Sequence, residues 1–240
     1  MLHFGKEFTT SLTDFNWPSG LRVVCLAKPF NQPIDGVGWP RELQELQFGD
    51  DFNQPINGVI WPDGLQRLTF GYRFNQSING IKWPPGLQRL EFGFQFNRPL
   101  LRVHWPIGLE ELSFGGMFNK CITVIRFPDG LRKLQFGSRF DHAISGIQLP
   151  AGLQELEFGS RFNHAIDGVR WPTGMQKLEF GLKFNQDISR VKWHRLRRLR
   201  ELTFGARFTQ DLSGINWPAS LHSITICREH SRAGRIVTLM

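Results

Sequence analysis

Tyrosine is almost missing from this chain of 240 residues, which has one Tyr against 22 Phe and 8 Trp. Cysteine is scarce as well. Cys25, Cys121 and Cys227 are odd in number and far apart, which argues against a disulfide framework and suits free thiols in a reducing compartment. No apolar run approaches the roughly 20 residues of a membrane span. The opening MLHFGKEFTTSLTD has no apolar core of the secretory kind, so a cytoplasmic location is expected. No segment holds the 10 or so residues of 3.6-residue periodicity that a helix needs. There is also no Cys-x-x-Cys pair, phosphate-binding glycine loop or nucleophile elbow, so neither a cofactor nor a catalytic centre is implied.

What the chain has instead is a repeat of 22 residues. One apolar column runs Phe48, Phe70, Phe92, Phe114, Phe136, Phe158, Phe180 and Phe204. A second runs Phe30, Phe52, Phe74, Phe96, Phe118, Phe140, Phe162, Phe184 and Phe208. A third, usually followed by Pro, contains Trp39, Trp61, Trp83, Trp105, Phe127, Leu149, Trp171 and Trp193. Because Phe and Leu substitute for Trp there, the column reads as a buried or half-buried spine and not as a stacking platform. The only irregular step is Phe180 to Phe204, which takes 24 residues.

Each unit therefore has three short apolar clusters separated by Gly, Pro, Asn or Asp. Such a unit cannot bury its own edges and must stack on its neighbours. The run L-x-x-L-x-F supplies a strand, and the crossover connections favour a right-handed coil. The expected fold is mainly β: a right-handed solenoid of 22-residue coils with a parallel sheet and little or no α-helix. Residues 1–228 read as a single array of about ten units, irregular at 193–202, and residues 229–240 as a C-terminal cap or tail. In the irregular unit, Leu196, Leu199 and Leu202 suggest a short helical turn.

A polar column accompanies the apolar ones: Asn31, Asn53, Asn75, Asn97, Asn119, Asn163 and Asn185, with Asp141 and Thr209 in register. An inward Asn ladder would satisfy backbone groups at the corners. The sequon at Asn75 is discounted because its Asn belongs to this ladder.

The pentads FNQPI at 30–34 and 52–56, FNQSI at 74–78, FNRPL at 96–100, FNHAI at 162–166 and FNQDI at 184–188 resemble the FNIP repeat. That family is a relative of the leucine-rich repeat, and the likeness covers about residues 1–226. This chain departs from it by using Trp-Pro where the family more often has Leu-Pro. The resemblance implies a leucine-rich-repeat-like solenoid with a protein-interaction role. Some members carry an F-box; none occurs in these 240 residues, so that role is not carried over.

The resemblance also places the variable positions beside each strand's buried Leu on an open face. These candidate partner-binding residues are Arg67, Thr69, Arg89, Glu91, Glu111, Lys133, Gln135, Glu155, Glu157, Lys177 and Glu179. They differ strongly between copies while the apolar columns hardly change. Two readings stay open, a solvated face whose charges pair across strands and a binding surface for a protein.

The net charge of +8 is uneven. Residues 1–189 hold 19 Lys/Arg and 18 Asp/Glu, whereas residues 190–240 hold 10 and 3. The run Arg195, Arg197, Arg198 and Arg200 forms a candidate basic patch. Further basic columns are Arg73, Arg139, Arg161, Lys183, Arg207 and Lys82, His104, Arg126, Arg170, Lys192. They make nucleic acid or an anionic surface the alternative partner. His142 and His164, with Asp141, fall one coil apart, but no third metal ligand is evident and no metal is expected. The expected function is a non-enzymatic scaffold for protein–protein interaction.

Overall fold

The computed structural model describes residues 1–228 and 231–237. The chain forms two compact units, Met1–Phe118 and Asn119–Met240.

The first unit holds strands β1 (Leu2–His3), β2 (Val23–Cys25), β3 (Glu45–Gln47), β4 (Arg67–Thr69), β5 (Arg89–Glu91) and β6 (Glu111–Ser113). Each pairs in parallel with the next, and partners are 22 residues apart, as in Leu46↔Leu68 and Leu68↔Leu90. The repeat length is thus the sheet register itself. The middle Leu of β3, β4, β5 and β6 is no more than 1% exposed.

Behind the sheet the Phe rings stack in files. Phe30, Phe52, Phe74, Phe96 and Phe118 follow one another with centroids 6.1–6.2 Å apart and planes within 11°. Phe52, Phe74, Phe96 and Phe118 each also meet the strand-end Phe of their own coil, as Phe74 meets Phe70 at 3.9 Å. Rings in such files bury large apolar areas without any polar group to satisfy. Corners are closed by turns: Pro62 O accepts the Leu65 N–H at 3.0 Å, and Gly71 O accepts the Phe74 N–H at 3.2 Å.

The second unit repeats this plan with β7 (Lys133–Gln135), β8 (Glu155–Glu157), β9 (Lys177–Glu179), β10 (Glu201–Phe204) and β11 (Ser223–Arg228), again parallel. Its Phe file runs Phe140, Phe162, Phe184 and Phe208 at 6.0–6.2 Å. The last strand, β12 (Ser231–Val237), pairs antiparallel with β11. The expected cap at 229–240 includes residues 229, 230 and 238–240, which lie outside the described residues.

The irregular unit keeps its register. Lys177 pairs with Glu201 across 24 positions, and the added residues are taken up in a 3₁₀ turn at Trp193–Arg195. The helical turn thus comes earlier than the Leu196–Leu202 spacing suggests, because Trp193 is drawn fully into the core and its indole N–H donates to Ile188 O at 3.0 Å. Leu196, Leu199 and Leu202 follow as buried residues. Among the described residues there is no α-helix, and no helix is long and apolar enough to cross a membrane.

Candidate interaction surface

The strand-flanking residues stand where the alternation of a strand puts them, opposite the buried Leu. Register then collects them into rows. In the first unit, Arg67, Arg89 and Glu111 are successive partners, as are Thr69 and Glu91. In the second, Lys133, Glu155 and Lys177 form one row, and Gln135, Glu157 and Glu179 another. All are half-buried or exposed.

These rows carry ion pairs. Arg67 Nη2 meets Glu45 Oε2 at 2.7 Å, and Arg89 Nε lies 2.7 Å from Glu91 and 3.3 Å from Glu111. Lys133 pairs with Glu155 at 3.1 Å and Lys177 with Glu179 at 3.4 Å. Charges of the open face therefore pair across and along strands. Glu157 is less well served: burial pushes its carboxyl above the usual range, and the neighbouring Glu179 adds to that. Gln135, Lys177 and Lys133 offset part of the shift. The face is also shallow. The hollow among Lys133, Glu155, Glu157, Lys177 and Glu179 measures about 20 Å³, far below the volume that holds a small molecule.

The Asn column makes a ladder of defined chemistry. Asn31 Oδ1 accepts the backbone N–H of Asn53 at 2.8 Å, Asn53 that of Asn75 at 2.9 Å, and Asn75 that of Asn97 at 3.0 Å. In the second unit Asn119 serves Asp141, Asp141 serves Asn163, Asn163 serves Asn185, and Asn185 serves Thr209. The expectation of an inward ladder needs correction. These residues are exposed or half-exposed, and no polar or charged side chain among the described residues is buried. The neighbouring Phe files fill the interior, so the Asn side chains lie at the coil edge.

Arg195, Arg197, Arg198 and Arg200 are all exposed, projecting from the two turns whose Leu196 and Leu199 are buried. Arg195 also lines a cleft of about 370 Å³ together with Arg170, Lys192, Trp171 and Asp167. The Trp column is buried or half-buried, with Trp39, Trp61 and Trp83 at 6–9% exposure. His164 Nε2 approaches Asp141 Oδ1 at 3.1 Å, close enough for an ion pair when the ring is protonated but without hydrogen-bond alignment. No group of three or more His, Cys, Asp or Glu suited to a metal occurs among the described residues.

Two features escape a reading of the sequence. The Gly after the strand-end Phe, as at Gly49, Gly71, Gly93 and Gly159, sits against the backbone of the preceding coil, and an added Cβ on Gly93 would overlap Gly71 O. The recurrent Phe-Gly dipeptide is the signal for it. Tyr72 and Phe94, exposed at 46% and 42%, stack on each other at 4.9 Å. They stand between Asp50 and Gly116 in a column with no fixed residue type, so nothing in the repeat marks them.

Short parallel strands one coil apart, stacked apolar files and an edge ladder of Asn define a leucine-rich-repeat-like solenoid. The family model of the FNIP Repeat matches residues 30–73, 58–95, 74–117, 96–137 and 118–161. Together these span more than half of the chain, and it belongs to that family. Among solved structures, the chain is similar to that described as "The crystal structure of CroV588 a novel circular LRR protein structure", with 32% identity and a TM-score of 0.77. The likeness covers 93% of this chain and 36% of that one, so the chain spans about a third of that protein's length. No curated protein matches the chain.

Proposed function

We propose that this protein is a non-enzymatic repeat scaffold whose strand face binds a protein partner, in the cytoplasm and without a cofactor. The observation that carries the reading is the contrast within each strand: Leu68 and Leu112 are buried, while the position before them is not and changes from exposed Arg67 to half-buried Glu111. A packed position restricts its residue and an open one does not. The hollow on this face among Lys133, Glu155 and Lys177, at about 20 Å³ too small for a small molecule, favours a macromolecule. A repeated unit also repeats its polar groups, whereas catalysis needs one converging set. On this reading residues 1–228 act as one array.

The ion pairs refine the expected energetics. A partner's charges must compete with Glu45 for Arg67 and with Glu91 and Glu111 for Arg89. Rim pairs of this kind set orientation and association rate more than affinity. Affinity purification from a lysate, using the chain and its Arg89→Glu, Lys133→Glu and Lys177→Glu variants, tests the reading. Loss of a captured protein in these variants is expected, and a partner indifferent to all of them rules out the strand face.

The second reading, a polyanion held by Arg195, Arg197, Arg198 and Arg200, is supported by their exposure side by side on one irregular unit. It requires heparin retention with a steep salt dependence that vanishes when the four are changed to Gln. Retention unaffected by these changes would dismiss it.

A further inference from the structure

The two units differ sharply in charge. Residues 1–118 hold 10 Lys/Arg against 11 Asp/Glu, and residues 119–240 hold 19 against 10. Part of the excess is arranged in a line. Arg139, Arg161, Lys183 and Arg207 occupy one turn position on successive coils, and all are exposed. Their backbones are locked in sequence: Arg161 N–H donates to Ser138 O at 3.0 Å, Lys183 to Ser160 O at 2.9 Å, and Arg207 to Leu182 O at 3.2 Å.

In the first unit the same position holds Asp51, Arg73, Gln95 and Met117, and Arg73 is neutralised by Asp51 at 3.3 Å. In the second unit Arg139, Arg161 and Lys183 make no ion pair among the described residues. The preceding column there is Ser138, Ser160, Leu182 and Ala206, with no acid. The carboxylate of the ladder column, Asp141, accepts the Asn163 N–H at 3.3 Å and lies 3.1 Å from His164 Nε2. Like charges held in line oppose one another unless an anion lies along them.

We propose that this row binds an extended acidic peptide segment. The spacing fits. The Phe residues that follow these cations, Phe140, Phe162, Phe184 and Phe208, are 6.0–6.2 Å apart. An extended chain puts every second side chain on one side at about 6.6–6.8 Å. Alternate Asp or Glu residues therefore meet successive coils, and long Arg and Lys side chains absorb the small mismatch. A single-stranded nucleic acid fits less well, because it requires aromatic platforms for its bases. No Phe, Tyr or Trp side chain is exposed among the described residues of the second unit. The inference shares with the scaffold reading only the premise that the occupant is a protein.

Fluorescence anisotropy on the full chain tests it, with a labelled alternating Glu-Ser peptide, its Gln-Ser counterpart and oligothymidylate as probes. The Glu-Ser peptide is expected to bind, to weaken strongly between about 50 and 200 mM salt, and to weaken about tenfold or more in Arg161→Gln/Lys183→Gln. Arg139→Gln alone weakens it less, and Arg197→Gln/Arg198→Gln leaves it unchanged. Absence of binding, equal binding of the Gln-Ser peptide, preference for oligothymidylate, or loss only in Arg197→Gln/Arg198→Gln each overturns the proposal. Thermal melts of the variants separate lost binding from lost fold. Arg89→Glu, which probes the strand face, leaves the peptide isotherm unchanged, so the two readings fail separately.

Discussion

Asn75 Oδ1 accepts the backbone N–H of Asn97, one coil further on, at 3.0 Å. The side chain of one repeat thus closes the backbone of the next, at an edge that water also reaches. Asn75→Ala removes that acceptor and is expected to cost about 0.5–1.5 kcal/mol, since water replaces part of the bond. Asn75→Asp keeps an acceptor, as Asp141 does for Asn163, and should stay within about 0.5 kcal/mol of the parent protein. Urea melts of both variants decide the point. Equal losses would mean that the amide acts through some other contact.

Gly93 is a stricter requirement. Its missing Cβ leaves room for Gly71 O, so Gly93→Ala must push two coils apart. The cost should reach the upper end of the about 1–3 kcal/mol seen for overpacking. Gly80→Ala is the contrast: its φ is +75° with open space around the added methyl, so only backbone strain of about 1 kcal/mol is expected. Melts showing the two substitutions equally mild would refute the close coil contact.

The Arg67–Glu45 pair at 2.7 Å is side-chain exposed at 47% and 33%. A double-mutant cycle with Ala at both positions should return a coupling of about 0.2–1 kcal/mol that shrinks with added salt. Charge reversal at Arg89 sets a carboxylate beside Glu91 and Glu111, so that variant should melt lower than the parent as well as lose its partner. A binding assay on it therefore needs the melt measured alongside.

Glu157 supplies a pH signature. Its carboxyl is raised by burial and by Glu179, so the folded state holds the proton more tightly than the unfolded chain does. That contribution is complete below the ordinary Glu range near about 4.3 and is lost as pH climbs through the raised folded value. Glu157→Gln should raise the melting temperature at neutral pH, and the gain should fade towards acid. A gain independent of pH would assign the effect to packing.

The strands, the parallel register and the core were legible in the residues because an apolar column repeating every 22 positions can be buried only by stacking copies in register. Leu68, Phe70, Phe74 and Ile78 are as buried as their columns imply. The strand-face residues were placed by the resemblance to leucine-rich repeats, and their variation between fixed letters agreed with an open position. The edge position of the Asn ladder was not, since a recurrent Asn fits an interior as well as a rim. The 3₁₀ turn at Trp193 was blurred for a similar reason: three Leu at matching spacing mark burial without saying where the chain tightens.

By itself, then, the sequence determined the coil, its stacking partner and its FNIP character, because period and side-chain volume leave one way to hide the Phe files. Only the tertiary structure decided the contacts between residues a full coil apart. Glu45 meets Arg67, Gly93 meets Gly71, and Arg139, Arg161 and Lys183 stand in line without a counter-ion among the described residues. Those outcomes depend on distances of a few ångströms between neighbouring coils, which stacking sets and composition does not encode.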